Sequence, residues 1–138
     1  IENRDGYKFL YNKNKPITKE SDLHILYDLT WYETEYDVNK EVNNGRGPVD
    51  FKISNGLDQT IVEFKLASNS HLKKNLKRQV EIYANANHNP EKIVVIIFTT
   101  VKQETRLIRI LKELNLQNSQ NIIPIDARMD NKPSASIA

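Results

Sequence analysis

Apolar residues recur at every second position in two short stretches. Val49, Phe51 and Ile53 alternate with Asp50 and Lys52, and Val62, Phe64 and Leu66 alternate with Glu63 and Lys65. A strand sends successive side chains to opposite faces, so the pattern predicts strands over 49–54 and 60–67. The link Asn55-Gly56-Leu57-Asp58 is short and turn-like, which makes the two strands hairpin neighbours. Asp50 then leaves the apolar face of its strand, and Glu63 and Lys65 leave theirs together. Pairing gathers these three on one polar face of a sheet.

The remaining periodicities fill in the elements around that hairpin. Leu23, Leu26, Tyr27 and Trp31 recur at helical spacing, with Thr18 and Ser21 as caps near Glu20, and predict a helix over 16–34. Alternation predicts a short strand over 36–42. A stripe of Leu72, Leu76, Val80 and Tyr83 predicts a helix over 70–87. The continuous apolar run within 92–99 reads as a strand covered on both faces. Thr99 or Thr100 can cap a further helix to about residue 116, with Leu107, Leu111 and Leu114 inward, and 121–126 reads as a last strand. Residues 1–15 read as a polar lead-in or linker and 128–138 as a polar tail, leaving one domain over 16–127. The order helix, three strands, helix, strand, helix, strand predicts an α/β fold. It is a three-layer α/β/α arrangement around a mixed central sheet.

Composition narrows the class. A chain of 138 residues, 38% hydrophobic, supports one domain with a real core. No apolar run has the length to cross a membrane, and no secretory signal is visible at the start. The absence of cysteine removes disulfides and thiolate metal sites and agrees with a cytoplasmic location. Three scattered histidines lack ligand spacing, which argues against zinc. The first residue is Ile1 rather than Met, which raises the expectation of an upstream domain. The net charge of +2 permits nucleic-acid binding without arguing for it.

The chemistry concentrates on the hairpin. Two carboxylates beside an amine suit a hard divalent cation and an activated water. Gly45-Arg46-Gly47-Pro48 bends the backbone on the way into Asp50. Gln79 lies three residues after Leu76 and four before Tyr83, so it sits on or beside the apolar stripe. There a glutamine either finds partners or reaches solvent from the border. Lys73, Lys74, Lys77 and Arg78 occupy the outer sides of the same helix. They are a solvated face or a surface for a phosphate backbone. The amides of Ser68-Asn69-Ser70 are either capped by their own side chains or open to a phosphate.

Pro48-x-Asp50, with Glu63-x-Lys65 beginning thirteen positions after Asp50, resembles the signature of the PD-(D/E)XK nuclease superfamily. Val49 here separates the proline from the aspartate. The resemblance implies the restriction-endonuclease-like fold and Mg²⁺-dependent hydrolysis of DNA phosphodiester bonds, with Mn²⁺ as a substitute. It implies Asp50, Glu63 and the Phe64 carbonyl as metal ligands and Lys65 as the catalytic amine. Gln79-x-x-x-Tyr83 is similar to the element that follows the same strand in RecB-like nucleases, where the pair orients substrate or active-site groups. A further acid from the first helix is implied: Glu20 is favoured, Glu41 is the runner-up and Glu33 a third choice. Arg46, Lys73, Lys74, Lys77, Arg78 and Tyr83 become the nucleic-acid contacts. DNA is the expected partner, with RNA, a homodimer and an upstream domain as open possibilities. The contrasting reading is a catalytically inactive, nuclease-like binding or assembly module. Since Asp50 and Lys65 lie on the polar face, replacing either with Ala is expected to leave the fold intact.

Overall fold

The computed structural model describes residues 6–23, 37–41, 50–55, 58–84 and 91–132. Its centre is a five-stranded mixed sheet in the order β3-β4-β5-β6-β7, where β3 is Asp37–Glu41, β4 Asp50–Asn55, β5 Asp58–Leu66, β6 Glu91–Phe98 and β7 Ile122–Asp126. The first three strands form an antiparallel meander, and β5, β6 and β7 run parallel. Parallel neighbours need a crossover. Helix α1, Leu72–Ala84, supplies the one from β5 to β6, and helix α2, Val101–Glu113, the one from β6 to β7.

Both helices cover the same side of the sheet. Leu72 and Leu76 of α1 and Leu107, Ile110 and Leu111 of α2 bury against Ala67, Val94, Ile96 and Phe98. The opposite side holds a second core of Phe51, Val62, Phe64, Leu66, Val95 and Ile97, closed by Tyr7, Leu10 and Leu23. Phe51 meets Phe64 edge to face, with ring centroids 6.1 Å apart. β6 feeds both cores in alternation, which is why its run from Ile93 to Phe98 is apolar throughout. β7 is an edge strand, the place where a sheet tolerates Pro124.

Local chemistry sets the ends of α2. The Thr100 hydroxyl accepts from the Gln103 amide at 3.1 Å, and the Gln103 side chain accepts from the Thr99 amide at 2.8 Å. The first bond satisfies one of the open donors at the helix start, and the second ties the residue before the cap to the first turn. Asn115, with φ 56°, takes the left-handed conformation that ends the helix, and the Leu116 amide returns to the Leu111 carbonyl at 2.7 Å.

Residues 6–16 depart from the expected loose lead-in. Gly6–Leu10 form a 3-10 turn that buries Tyr7 and Leu10 in the second core. A tight hairpin follows, with β1 Tyr11–Asn12 against β2 Lys15–Pro16. Lys13 and Asn14 both take positive φ there, as a two-residue turn of this hand demands. The Tyr11 hydroxyl donates to the Ala127 carbonyl at 2.6 Å, tying this hairpin to the end of β7. The predicted first helix does not start at residue 16: residues 16–19 are non-helical, and helix is described only for 20–23. The tail is also anchored where it leaves β7. Arg128 pairs with Glu104 at 3.0 Å and Asp130 at 2.9 Å, and Lys132 with Asp126 at 3.2 Å.

Candidate functional site

The β4–β5 register sets Asp50 directly opposite Glu63, and the β3–β4 register sets Glu41 directly opposite Asp50. Residues opposite one another in an antiparallel pair share a face. Three acidic positions therefore form one row across three adjacent strands. The side chains of Asp50 and Glu41 lie outside the described residues, and so does the separation of the Asp50 and Glu63 carboxylates that the motif predicts.

Glu63 sits on the central strand, on the face that α1 and α2 cover. It is 1% exposed and Lys65 is 2% exposed. The polar face predicted for this strand is therefore buried, with Gln79 of helix α1 reaching Glu63 from above. The Lys65 ammonium lies 2.6 Å from Glu63 Oε1. Glu63 Oε2 accepts from the Gln79 amide at 2.5 Å and pairs with the Lys92 ammonium at 2.5 Å. Burial alone would raise the Glu63 pKa, but Lys65 and then Lys92 outweigh it and hold the carboxyl below its usual value. The glutamate is thus a buried, ionised oxygen donor with a lysine on each oxygen.

Gln79 reaches this site because α1 directs Leu72, Leu76 and Gln79 along one inward stripe. Val80, the neighbouring apolar position, is left partly exposed. Arg106 of α2 fixes where α1 begins. Its guanidinium donates to the carbonyls of Ala67 and Asn69, both at 2.9 Å, and of Ser70 at 3.2 Å. Those residues join β5 to α1, so this clamp helps set the position of Gln79 over Glu63. Gln79 and Lys92 also border a pocket of about 210 Å³ between α1 and the sheet, walled by Leu76, Val94 and Ile122.

Other residues singled out in the sequence fall elsewhere. Glu20, favoured as the extra acid, accepts from the Leu66 amide at 3.2 Å and the Asn69 side chain at 3.3 Å. Leu66 is three residues beyond Glu63, about 10 Å along a strand, so Glu20 belongs to the end of β5. The Asn69 side chain accepts from the His71 amide at 2.9 Å, and the Asn69 amide bonds to the Leu66 carbonyl at 3.0 Å. Phe64 turns its ring into the second core, and its backbone remains beside the acidic row. Lys73, Lys74, Lys77 and Arg78 are exposed on α1, and Lys73 pairs with Glu113 of α2 at 2.5 Å. Arg46, Glu33 and the side chain of Tyr83 lie outside the described residues. Among the described residues no group of three or more His, Cys, Asp and Glu side chains is placed to hold a metal ion, and no helix is long and apolar enough to cross a membrane.

Sequence reasoning missed Lys92. The signal was present, since Lys92, Val94 and Ile96 alternate onto one face of β6. Placing that face beside Glu63 requires knowing that β5 and β6 are neighbours in this register.

Fold and site together define a mixed α/β protein with a buried, lysine-bracketed glutamate on its central strand. Residues 1–101 match the model of the family described as "Domain of unknown function (DUF8371)", and the chain belongs to that family. No curated protein matches the chain. A solved structure titled "Structure of EndoMS in apo form" aligns with 86% of this chain and 48% of its own length, at 16% identity and a TM-score of 0.41. The chain thus spans about half the length of that protein.

Proposed function

We propose that this protein is a metal-dependent nuclease that hydrolyses DNA phosphodiester bonds. One observation carries the reading: Glu63-x-Lys65 is buried on the central strand with Asp50 opposite it in register and Gln79 bonded to it from the following helix. Buried ionised pairs are costly to maintain and concentrate at working sites.

The donor chemistry fits a hard divalent cation, because Glu63 offers ionised oxygen and the register adds two more carboxylate positions. Asp50, Glu63 and the Phe64 carbonyl would hold Mg²⁺ or Mn²⁺, and Glu41 replaces Glu20 as the best-placed extra acid. Such an ion supplies a water of lowered pKa and charge neutralisation at the phosphate. The protein does the rest. Gln79 fixes the rotamer of Glu63. Lys65 holds positive charge where the phosphate oxygens gain negative charge and orients the attacking water. Lys74, Lys77 and Arg78 offer the exposed cations that a phosphate backbone requires.

The test is Mg²⁺-dependent cleavage of plasmid, linear and single-stranded DNA. The wild-type chain should cut at least one, Lys65→Met should be slower by about a hundredfold or more, and Glu41→Gln should need more metal. No cleavage by the wild type, or full activity in Lys65→Met, would overturn the reading. A non-cutting module that binds nucleic acid is the second reading, favoured by the number of donors already on Glu63. The same assay, run beside a DNA-binding titration, separates the two.

A further inference from the structure

Three donors crowd one carboxylate. A carboxylate offers about four acceptor positions, and on Glu63 they face Lys65, Lys92 and Gln79. Two ammonium groups exceed the charge of a single glutamate. The excess has a purpose only if more negative charge, or a competing cation, belongs to the same place. The acidic row Glu41, Asp50, Glu63 provides the negative charge.

The two lysines are not equivalent. Lys65 shares the strand of Glu63 and is 2% exposed, so it has no route out. Lys92 reaches across from the start of β6, is 19% exposed, and borders the open pocket beside Gln79. Its four-carbon stem can carry the ammonium into that pocket without moving either strand.

We infer that Lys92 is an exchangeable counter-cation, holding Glu63 Oε2 until a divalent cation takes its place. This rests on the metal-dependent reading of the same site. Entry of the ion displaces the ammonium of Lys92 and leaves Lys65 and Gln79 where they are. Lys92 thereby keeps the buried glutamate paired in the metal-free protein and sets how much metal is needed to load the site. The displaced ammonium stays at the mouth of the pocket that Lys92 and Gln79 border.

Calorimetric titration of Mn²⁺ into the wild type, Lys92→Gln and Lys92→Arg tests this directly. Lys92→Gln should bind Mn²⁺ with a Kd lower by about tenfold or more. Lys92→Arg keeps the competing charge and should not tighten. A second measurement needs no variant: acetylation of the wild type, read by mass spectrometry, should be faster at Lys92 after Mg²⁺ is added and unchanged at Lys65. If the wild type binds Mn²⁺ but Lys92→Gln binds no tighter, or Lys92 reactivity ignores Mg²⁺, the exchange is wrong and the metal site stands. If the wild type binds no Mn²⁺ at all, the metal reading falls and takes the exchange with it.

Discussion

On one face of β5, Val62, Phe64 and Leu66 pack into an apolar core; on the other, Glu63 and Lys65 lie under α1. The charged face is as dry as the apolar one. Val62 and Phe64 are each 6% exposed, against 1% for Glu63 and 2% for Lys65. Burying an ion pair costs desolvation that its Coulomb attraction repays only with good geometry, and apolar residues of similar volume often serve stability as well or better. Folding alone therefore accounts for one face of the strand and leaves the other unexplained. What distinguishes the charged face is its connections, because Glu63 bonds to β6 and α1 and stands in one row with Asp50 of β4 and Glu41 of β3.

The strongest way to break the comparison is to make both faces alike. Glu63→Leu alone should destabilise the protein by about 3–5 kcal/mol, because Lys65 is left buried without its partner. Adding Lys65→Leu should recover most of that loss, and the double variant should approach or exceed wild-type stability. Urea melts of the two variants decide it. If the double variant is no better than the single one, the pair is needed for folding and the contrast between the faces disappears.

Acid sharpens the comparison without changing a residue. The Glu63 carboxyl is held below its usual value of 4.5 by Lys65 and Lys92, against burial. A depressed folded pKa contributes stability that is complete above the unfolded value and lost as pH falls through the folded value. The urea midpoint of the wild type should therefore hold from neutrality to about that usual value and drop below it. Glu63→Gln, less stable at pH 7, should lose less over the acid limb. Asp126 supplies a background slope in both proteins. Burial raises its pKa, but the Arg128 amide, Asn131 and Lys132 lower it by more. The difference between the two curves isolates Glu63. Parallel acid limbs would mean that the lysines do not hold the glutamate ionised.

Much of this contrast could be read from the chain itself. Period-two alternation located β4 and β5, and the two-residue link between Asn55 and Asp58 fixed a register that brings Asp50 opposite Glu63. Helical spacing on α1 set Gln79 on or beside the apolar stripe, and only the fold shows it bonded to Glu63. Burial of the Glu63 face was not legible, since an alternating strand reads the same under water as under a helix. The anchored start was missed for a related reason. Tyr7, Leu10 and Tyr11 fall in a short apolar cluster with Phe9 that has neither helical nor strand period, and only the sheet they cover shows their use. The places of Glu20 and Glu41 relative to Glu63 also needed the fold, since the strand register sets the position of Glu41 beside Asp50. In sequence Glu20 opens a helix, and only the fold shows its carboxylate on the Leu66 amide.

The smallest effect on stability is expected on the outside of α1, and it tests whether the charged face of β5 is served by a surface. Lys77 is exposed and has no ion-pair partner among the described residues. Lys73, by contrast, is engaged by Glu113. Removing an exposed, unpaired charge changes stability by no more than about 0.5 kcal/mol. Lys77→Ala should therefore melt like the wild type. If α1 lies against a phosphate backbone, the same substitution should weaken DNA binding for every sequence. The plot of log affinity against log salt should also lose about one phosphate contact from its slope. Lys73→Ala should change the slope less, because Glu113 already neutralises part of that charge. A fluorescence-anisotropy titration at several salt concentrations, with Ca²⁺ replacing Mg²⁺ to prevent cleavage, reads both. An unchanged slope in Lys77→Ala would move the nucleic-acid path off α1 and leave the buried site to be approached from the sheet edge at β3.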